Sequence, residues 1–413
     1  MPIYLIIDEY DWFAQELFSK DPERYRAVTG AEGCFKSFYA CIKAAATDGA
    51  VRTFITGVTF VSLDGVIAGF NIATDITYDA DFAGMMGFTD DELRRLIPQV
   101  VDLDRYGHTV DEVFDRMKDL YHGYRFSKDS DVTVFNSSMC LYYLSALAKT
   151  NAEPRELRDP AFSADTSKID VILSLSEEAV VKSIVEDVLL DKPIESSGGW
   201  FVLTLNASAG FNRSDVLSAL VFLGFLTHSS NGSSDLVCPC RAVKELFFRY
   251  WFSRFENMQD FFMPLVNRKL AIEALAEGEA SPMLELVSQT LSRMAGRNGC
   301  ADIDETTVLF ALAMSLHMSP FYQVLLERGM RGAGSACLIL KPNRAHSGIA
   351  GWIIDLQNVR KSEATEQVVE AKIAEAEDRL SQYSTAEDVV CIPNLRRAAA
   401  VFSGTELKRV KVL

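Results

Sequence analysis

Ile3-Tyr4-Leu5-Ile6-Ile7-Asp8-Glu9 decides the fold: five apolar residues run without interruption into two acids. Apolar runs this short, bounded by charge, read as a buried central strand of a parallel sheet, because a strand covered on both faces need not alternate. A helical stretch from about Glu23 to Thr47 follows, then a second apolar strand, Thr53-Phe54-Ile55-Thr56-Gly57-Val58. Strand, helix, strand at this spacing is a βαβ unit. The fold class is therefore α/β, with a parallel sheet at its beginning.

Outward from that unit, residues 90 to 147 turn helical, interrupted at Tyr121-His122-Gly123-Tyr124-Arg125-Phe126. Composition shifts between Lys149 and Pro160, which marks a boundary and gives a first domain of 1–150. Residues 151–270 form a second, largely helical region. In it Ser174-x-x-Glu177 predicts a capping box opening a helix to about Asp191, and residues 214 to 227 read as a helix and a short strand. The third region, 271–413, begins with Ser281-Pro282 as N-cap and first helical position. Leu284, Val287, Leu291 and Met294 then share one helical face. Residues 306 to 326 lack Asp, Glu, Lys and Arg; His317, Gln323 and a break near Pro320 favour a buried helix over a membrane span. Strands at Ala336 to Leu340 and Gly351 to Val359, a helix from about Ser362 to Tyr383 and two final strands complete an α/β unit.

The acidic balance, 57 Asp and Glu against 41 Lys and Arg, argues against a broad nucleic-acid surface. Arg396-Arg397 and Lys408-Arg409-x-Lys411 could contact a phosphate backbone, though a solvated face explains them as well, and Arg125 could touch a phosphate or serve a structural turn. The cysteines show no disulfide framework, and Cys238-Pro239-Cys240 lacks the second pair a zinc site needs. The acidic N-terminus is no signal peptide, so the expectation is a soluble, intracellular, cytoplasmic protein, with the nucleus open. The five histidines stand apart from one another and from any nucleophile motif.

An apolar strand ending in Asp-Glu is the Walker B arrangement: Asp8 would stand beside a nucleotide's Mg²⁺, and Glu9 would orient an attacking water. Further stretches follow in a consistent order: Phe54-Ile55-Thr56-Gly57-Val58, Gly69-Phe70-Asn71, Phe82 to Glu92, Tyr121 to Phe126, Phe135-Asn136, and Phe222 to Thr227. Together they resemble the AAA-ATPase-like family often fused to PD-(D/E)XK nucleases, over roughly residues 3 to 360. The resemblance implies part of a P-loop sheet, a helical or winged-helix-like middle and a restriction-endonuclease-like end. It also implies ATP and Mg²⁺ as cofactors, with Asp8 and Thr56 at the nucleotide and Thr56 near the sensor position. Yet no G-x-x-x-x-G-K-S/T occurs, nor any Gly-Lys pair. Without that loop there is no amide cradle and no lysine for the terminal phosphates. Either the chain is a truncated fragment or it has lost nucleotide hydrolysis.

The nuclease-type motif implies an Asp on one strand and an acid and Lys, as D/E-x-K, on the next. Here Cys337 stands at the first position, Asp355 at the second and Gln357 at the lysine, while Glu327 lies where a helical acid often precedes a glycine-rich turn. Asp355 and Glu327 keep carboxylates for a metal; a thiolate at 337 suits Mg²⁺ poorly. The bland alternative packs Cys337 as a small apolar group and makes Asp355 a strand-end acid. The expectation is a catalytically impaired protein of this family, acting through a partner protein or through nucleic acid at the C-terminal domain. The alternative is an ATP-dependent nuclease-type enzyme whose P-loop comes from a segment upstream.

Overall fold

The computed structural model describes residues 2–10, 22–29, 34–57, 74–154, 156, 158–159, 169–170, 172–174, 176–196, 211–229, 233–253, 265–295, 303–317, 319–328, 336–343, 346, 348–383 and 391–413. Gly69-Phe70-Asn71 and the glycine-rich segment after Arg328 lie outside the described residues. Two compact units emerge: residues 1–184 with 193–243, and residues 185–192 with 244–413.

In the first unit, β1 (Ile3–Ile7) pairs in parallel with β2 (Val51–Ile55), Ile7 opposite Ile55. The helical stretch between them is two helices, α1 (Pro22–Thr29) and α2 (Cys34–Thr47), rather than one. This is the βαβ unit expected from the sequence, with one correction. The run is not buried: Ile3, Tyr4 and Ile6 are 67%, 70% and 72% exposed. Burial of a parallel strand depends on layers covering both faces, and among the described residues β1 pairs only with β2.

Next come α3 (Asp90–Val100), α4 (Leu103–Tyr106), α5 (Val110–Tyr121), the short pair β3 (His122–Tyr124) and β4 (Val134–Phe135), and α6 (Ser137–Thr150). Thr89 and Thr109 open α3 and α5 with full capping boxes to Glu92 and Glu112. In each, threonine and glutamate satisfy amide donors that a helix start leaves open. The middle contains α7 (Glu178–Leu189), α8 (Arg213–Phe222), the antiparallel β5 (Thr227–His228) and β6 (Leu236–Val237), and α9 (Arg241–Phe252). α7 starts at Glu178, later than the Ser174 box predicts, and Ser176 instead bonds to the carbonyl of Phe211.

The second unit is built on one five-stranded sheet. Ahead of it stand α10 (Leu265–Glu277), α11 (Ser281–Met294) and α12 (Glu305–His317). Then come β7 (Tyr322–Arg328), β8 (Ala336–Pro342), β9 (Gly351–Asn358), α13 (Glu366–Tyr383), β10 (Leu395–Ser403) and β11 (Glu406–Val412). The order across the sheet is β11-β10-β9-β8-β7. β7, β8 and β9 run antiparallel, and α13 crosses over so that β10 lies parallel to β9. Leu284, Val287, Leu291 and Met294 are all buried, as their helical spacing predicts. Ser281 falls inside α11; Ala280 holds the cap position and makes no side-chain cap. The uncharged segment after Thr306 is not one helix broken at Pro320: α12 ends at His317 and β7 begins at Tyr322. α12 is buried on every side, which is why it carries almost no amphipathic pattern.

Candidate functional site

At the ends of the two parallel strands, Asp8 and Thr56 meet. The Thr56 hydroxyl donates to Asp8 Oδ1, and the Glu9 amide donates to Thr56 Oγ1 at 3.2 Å. The backbone closes around them: Thr56 N to the Ile7 carbonyl at 2.8 Å, Tyr10 N to the Thr56 carbonyl at 2.9 Å. Glu9 turns the chain with a φ of 51°, in the left-handed region uncommon for a residue with a side chain. Strand pairing therefore brings three predicted residues, Asp8, Glu9 and Thr56, within one hydrogen-bonded corner. Asp8 and Glu9 are exposed, so the carboxylates face water. Asp8 offers one oxygen partnered by threonine and one free for a hydrated cation. A nucleotide does not fit on these residues alone, since nothing among them binds phosphate.

The second candidate lies in the five-stranded sheet. Register puts Glu327 opposite Cys337, and Cys337 opposite Asp355, so the three positions form one row across β7, β8 and β9. Glu327 is thus in a strand, not a helix; the sequence following α12 turns to extended structure before reaching it. Two residues further along β9, Gln357 shares the face of Asp355.

Asp355 is fully buried in mid-strand, which corrects the strand-end alternative. Both of its oxygens are engaged: Arg379 of α13 donates through Nε and Nη2, each at 2.9 Å, and Gln357 Nε2 donates to Oδ1 at 3.0 Å. A paired fork on a buried carboxylate is the strong, geometrically specific form of this contact. The carboxylate in turn holds the guanidinium above its ordinary pKa, against the opposing effect of burial, with Glu305 and Glu375 adding to the rise. Cys337 is fully buried in the apolar cluster with Ile339, Ile353, Val369 and Ile373. A metal does not fit here, because the oxygens it would take already accept from a cation. Among the described residues no group of three or more His, Cys, Asp or Glu side chains is placed to hold a metal ion.

Arg379 carries no motif that singles it out in the sequence. Its signal is faint: Val369, Ile373, Ala376 and Leu380 make the buried stripe of α13, and Arg379 lies on the flank of that stripe. A charged residue so placed asks for a buried counter-charge.

Elsewhere in the first unit, several motif stretches meet as architecture. The Phe88 amide bonds to the Phe135 carbonyl at 3.2 Å, and Asn136 caps α6 at Met139 N, 3.0 Å. Thr227 Oγ1 accepts from Arg125 N at 2.8 Å and donates to the Arg125 carbonyl at 2.7 Å. A Cβ at Gly123 would fall 2.1 Å from the Pro239 carbonyl oxygen, so only glycine permits this approach. Arg125 reaches the Ser130 carbonyl and, at 3.5 Å, Asp131, which makes it a turn residue. His122 sits between Thr133 at 3.1 Å and Asp90 at 3.5 Å, and burial holds its imidazole below the ordinary value. The basic tail is paired as well: Lys408 with Glu406 at 2.7 Å, Arg409 with Glu370 and Lys411 with Glu377.

Among the described residues no helix is long and apolar enough to cross a membrane. No curated protein matches the chain. The family model described as Predicted AAA-ATPase matches residues 1–67, the stretch that contains β1, β2 and the Asp8, Glu9 and Thr56 corner, and over it the chain is similar to the AAA-ATPase-like family.

Proposed function

We propose that this chain is an AAA-ATPase-like protein with a C-terminal PD-(D/E)XK nuclease-type unit in which both catalytic activities are lost, so that it works by binding. The observation that carries this reading is the state of Asp355: buried, with both oxygens bonded to Arg379. Metal-dependent hydrolysis needs carboxylate oxygens open to a cation and a group that orients water. Here the lysine position is Gln357 and the first acid position is Cys337. Support for the nuclease-type frame comes from element order: α12, three antiparallel strands, α13, and a strand parallel to the third.

The exposed apolar side chains of Ile3, Tyr4, Ile6 and Phe54 favour a protein as the partner. Nucleic acid stands behind it, because Lys408, Arg409 and Lys411 each already pair with a glutamate. Incubation of the chain with duplex and single-stranded DNA in Mg²⁺ or Mn²⁺ is expected to yield no cleavage. Cleavage that disappears in Asp355→Ala would sink this reading.

One observation favours a second reading, in which ATP is used. The Asp8, Thr56 and Glu9 corner has the arrangement that a strand-end acid and a neighbouring-strand hydroxyl need beside a nucleotide. On that reading the phosphate-binding loop comes from a polypeptide segment outside these residues. Calorimetric titration with Mg-ATP separates the two: no heat at millimolar nucleotide supports the first, and saturable micromolar binding lost in Asp8→Ala supports the second.

A further inference from the structure

The geometry points to the turn ahead of α3 as a docking surface for a basic amphipathic helix of another protein. This goes beyond the loss of catalysis and stands whichever of the two readings above holds. Three large apolar side chains crowd the turn and face water: Phe82, Met85 and Met86 are 41%, 45% and 49% exposed. Val132, also exposed, lies beside them, since a Cβ at Gly84 would fall 3.4 Å from its methyl group. Single exposed apolar residues are ordinary, but a cluster rimmed by polar groups marks a binding surface. Phenylalanine and methionine are enriched at the centres of protein interfaces, and the flexible thioether of methionine moulds itself to a partner.

The exposure does not come from a loose loop. Asp79 caps the 3₁₀ turn Ala80–Phe82, accepting from Asp81 N at 2.9 Å, and Met85 N bonds back to the Phe82 carbonyl at 2.9 Å. Ala83, among the exposed residues, is itself buried and anchors the turn. Gly87 has a φ of 109°, and a Cβ there would fall 2.5 Å from the Phe135 carbonyl oxygen, so the chain runs hard against β4. Phe135 N then bonds to the Phe88 carbonyl at 2.8 Å, and the Thr89 capping box opens α3. A patch on so fixed a backbone loses little further freedom on docking, which lowers the cost of binding.

Charge selects the partner. Residues 74–93 hold five Asp and one Glu and no Lys or Arg. Asp81 is exposed next to Phe82, and the Asp131 side chain, next to Val132, stands fully in water. Lys118 and Lys128 are engaged by Asp90 and Asp129, at 2.7 Å and 2.9 Å. An acidic rim of this kind repels nucleic acid and anionic lipid. It also repels a second copy of a chain whose net charge is −16. A helix with apolar residues along one face and Lys or Arg flanking them satisfies the patch and the rim together.

The test is fluorescence anisotropy of the full chain with a fluorescein-labelled helical peptide, about 18 residues long, carrying leucine on one face and lysine on the other. Wild type is expected to bind it saturably, and about tenfold tighter than a peptide of the same composition shuffled to have no apolar face. Met85→Ser/Met86→Ser is expected to weaken binding about tenfold, while Met85→Leu/Met86→Leu keeps it. Leu270→Ser, which removes an exposed leucine of the second unit, is expected to change nothing. Asp81→Asn/Asp131→Asn is expected to weaken binding about threefold and to flatten its dependence on salt. If the serine variant melts too low to use, the rim variant and the salt series carry the same comparison. Equal affinity of wild type for the two peptides overturns the inference, as does full affinity in a folded Met85→Ser/Met86→Ser. A dimer in sedimentation that this variant abolishes also overturns it, and gives the patch to a second copy. Capture of wild type by phosphatidylcholine vesicles, lost in the same variant, overturns it in favour of a lipid surface. None of these outcomes bears on DNA cleavage, which tests the loss of catalysis separately.

Discussion

Two acidic strand positions, Asp8 and Asp355, look alike in sequence, each preceded by an apolar run, and the structure treats them oppositely. Asp8 ends an exposed strand and shares one oxygen with a threonine hydroxyl. Asp355 lies inside a covered sheet with an arginine on both oxygens. The difference teaches that an acid after an apolar run is a chemical resource only where the layers around the strand leave it one. Where they close, the same acid must find a cation within the protein, since an unpaired buried charge costs several kcal/mol. Exposed acids meet no such demand and keep their freedom to bind.

The largest effect that tests this contrast is Asp355→Ala. It leaves Arg379 partly buried without its partner, and the expected loss is about 3–5 kcal/mol of stability, read by urea or thermal unfolding. Replacing both partners, Asp355→Leu with Arg379→Met, is expected to recover most of that loss, because a well-packed apolar pair needs no counter-charge. Equal instability of the single and double variants would show that the pair is not coupled, and the contrast would then rest on packing alone. Gln357→Leu comes next. It removes a donor at 3.0 Å from Asp355 and a bond to the Leu356 carbonyl at 3.0 Å, for an expected cost of about 1.5–2 kcal/mol. No loss there would mean that the arginine alone satisfies the carboxylate.

Much of this is legible in the sequence, unevenly. Short apolar runs and helical faces announce β1, β2, β8, β9 and the buried stripe of α11, because local pattern is what such elements are made of. The family resemblance sets Cys337 and Asp355 on successive strands, and the register of β8 and β9 puts the two positions opposite each other. The burial of an isolated apolar strand is not readable. Ile3 to Ile7 promises a covered strand, but covering is a property of layers, and the exposed Ile3, Tyr4 and Ile6 show how little an isolated run says about them. Glu327 is expected in a helix only through the family resemblance, and a resemblance without the local pattern behind it does not fix the element: the residue lies in β7. Arg379 escapes notice because its partner is 24 residues away on another element, a distance no periodicity reports. Thr56 is singled out by the family resemblance, and its hydrogen bond to Asp8 depends on the parallel register of β1 and β2.

The smallest effect falls at the N-terminal corner. Thr56→Ala removes the hydroxyl that bridges Asp8 Oδ1 and the Glu9 amide, while Asp8→Asn removes a charge that water already solvates. Both groups are replaceable by solvent, so each variant is expected to stay within about 0.5 kcal/mol of wild type in chemical denaturation. This near-silence is informative only beside the large loss at Asp355. If Asp8→Asn instead cost as much as Gln357→Leu, the corner would be serving the fold, and its acid would be bound into the structure like the buried one. If stability holds while the chain's affinity for Mg-ATP or for a protein partner falls, the corner is reserved for binding. The two acids would then differ in function because they differ in what covers them.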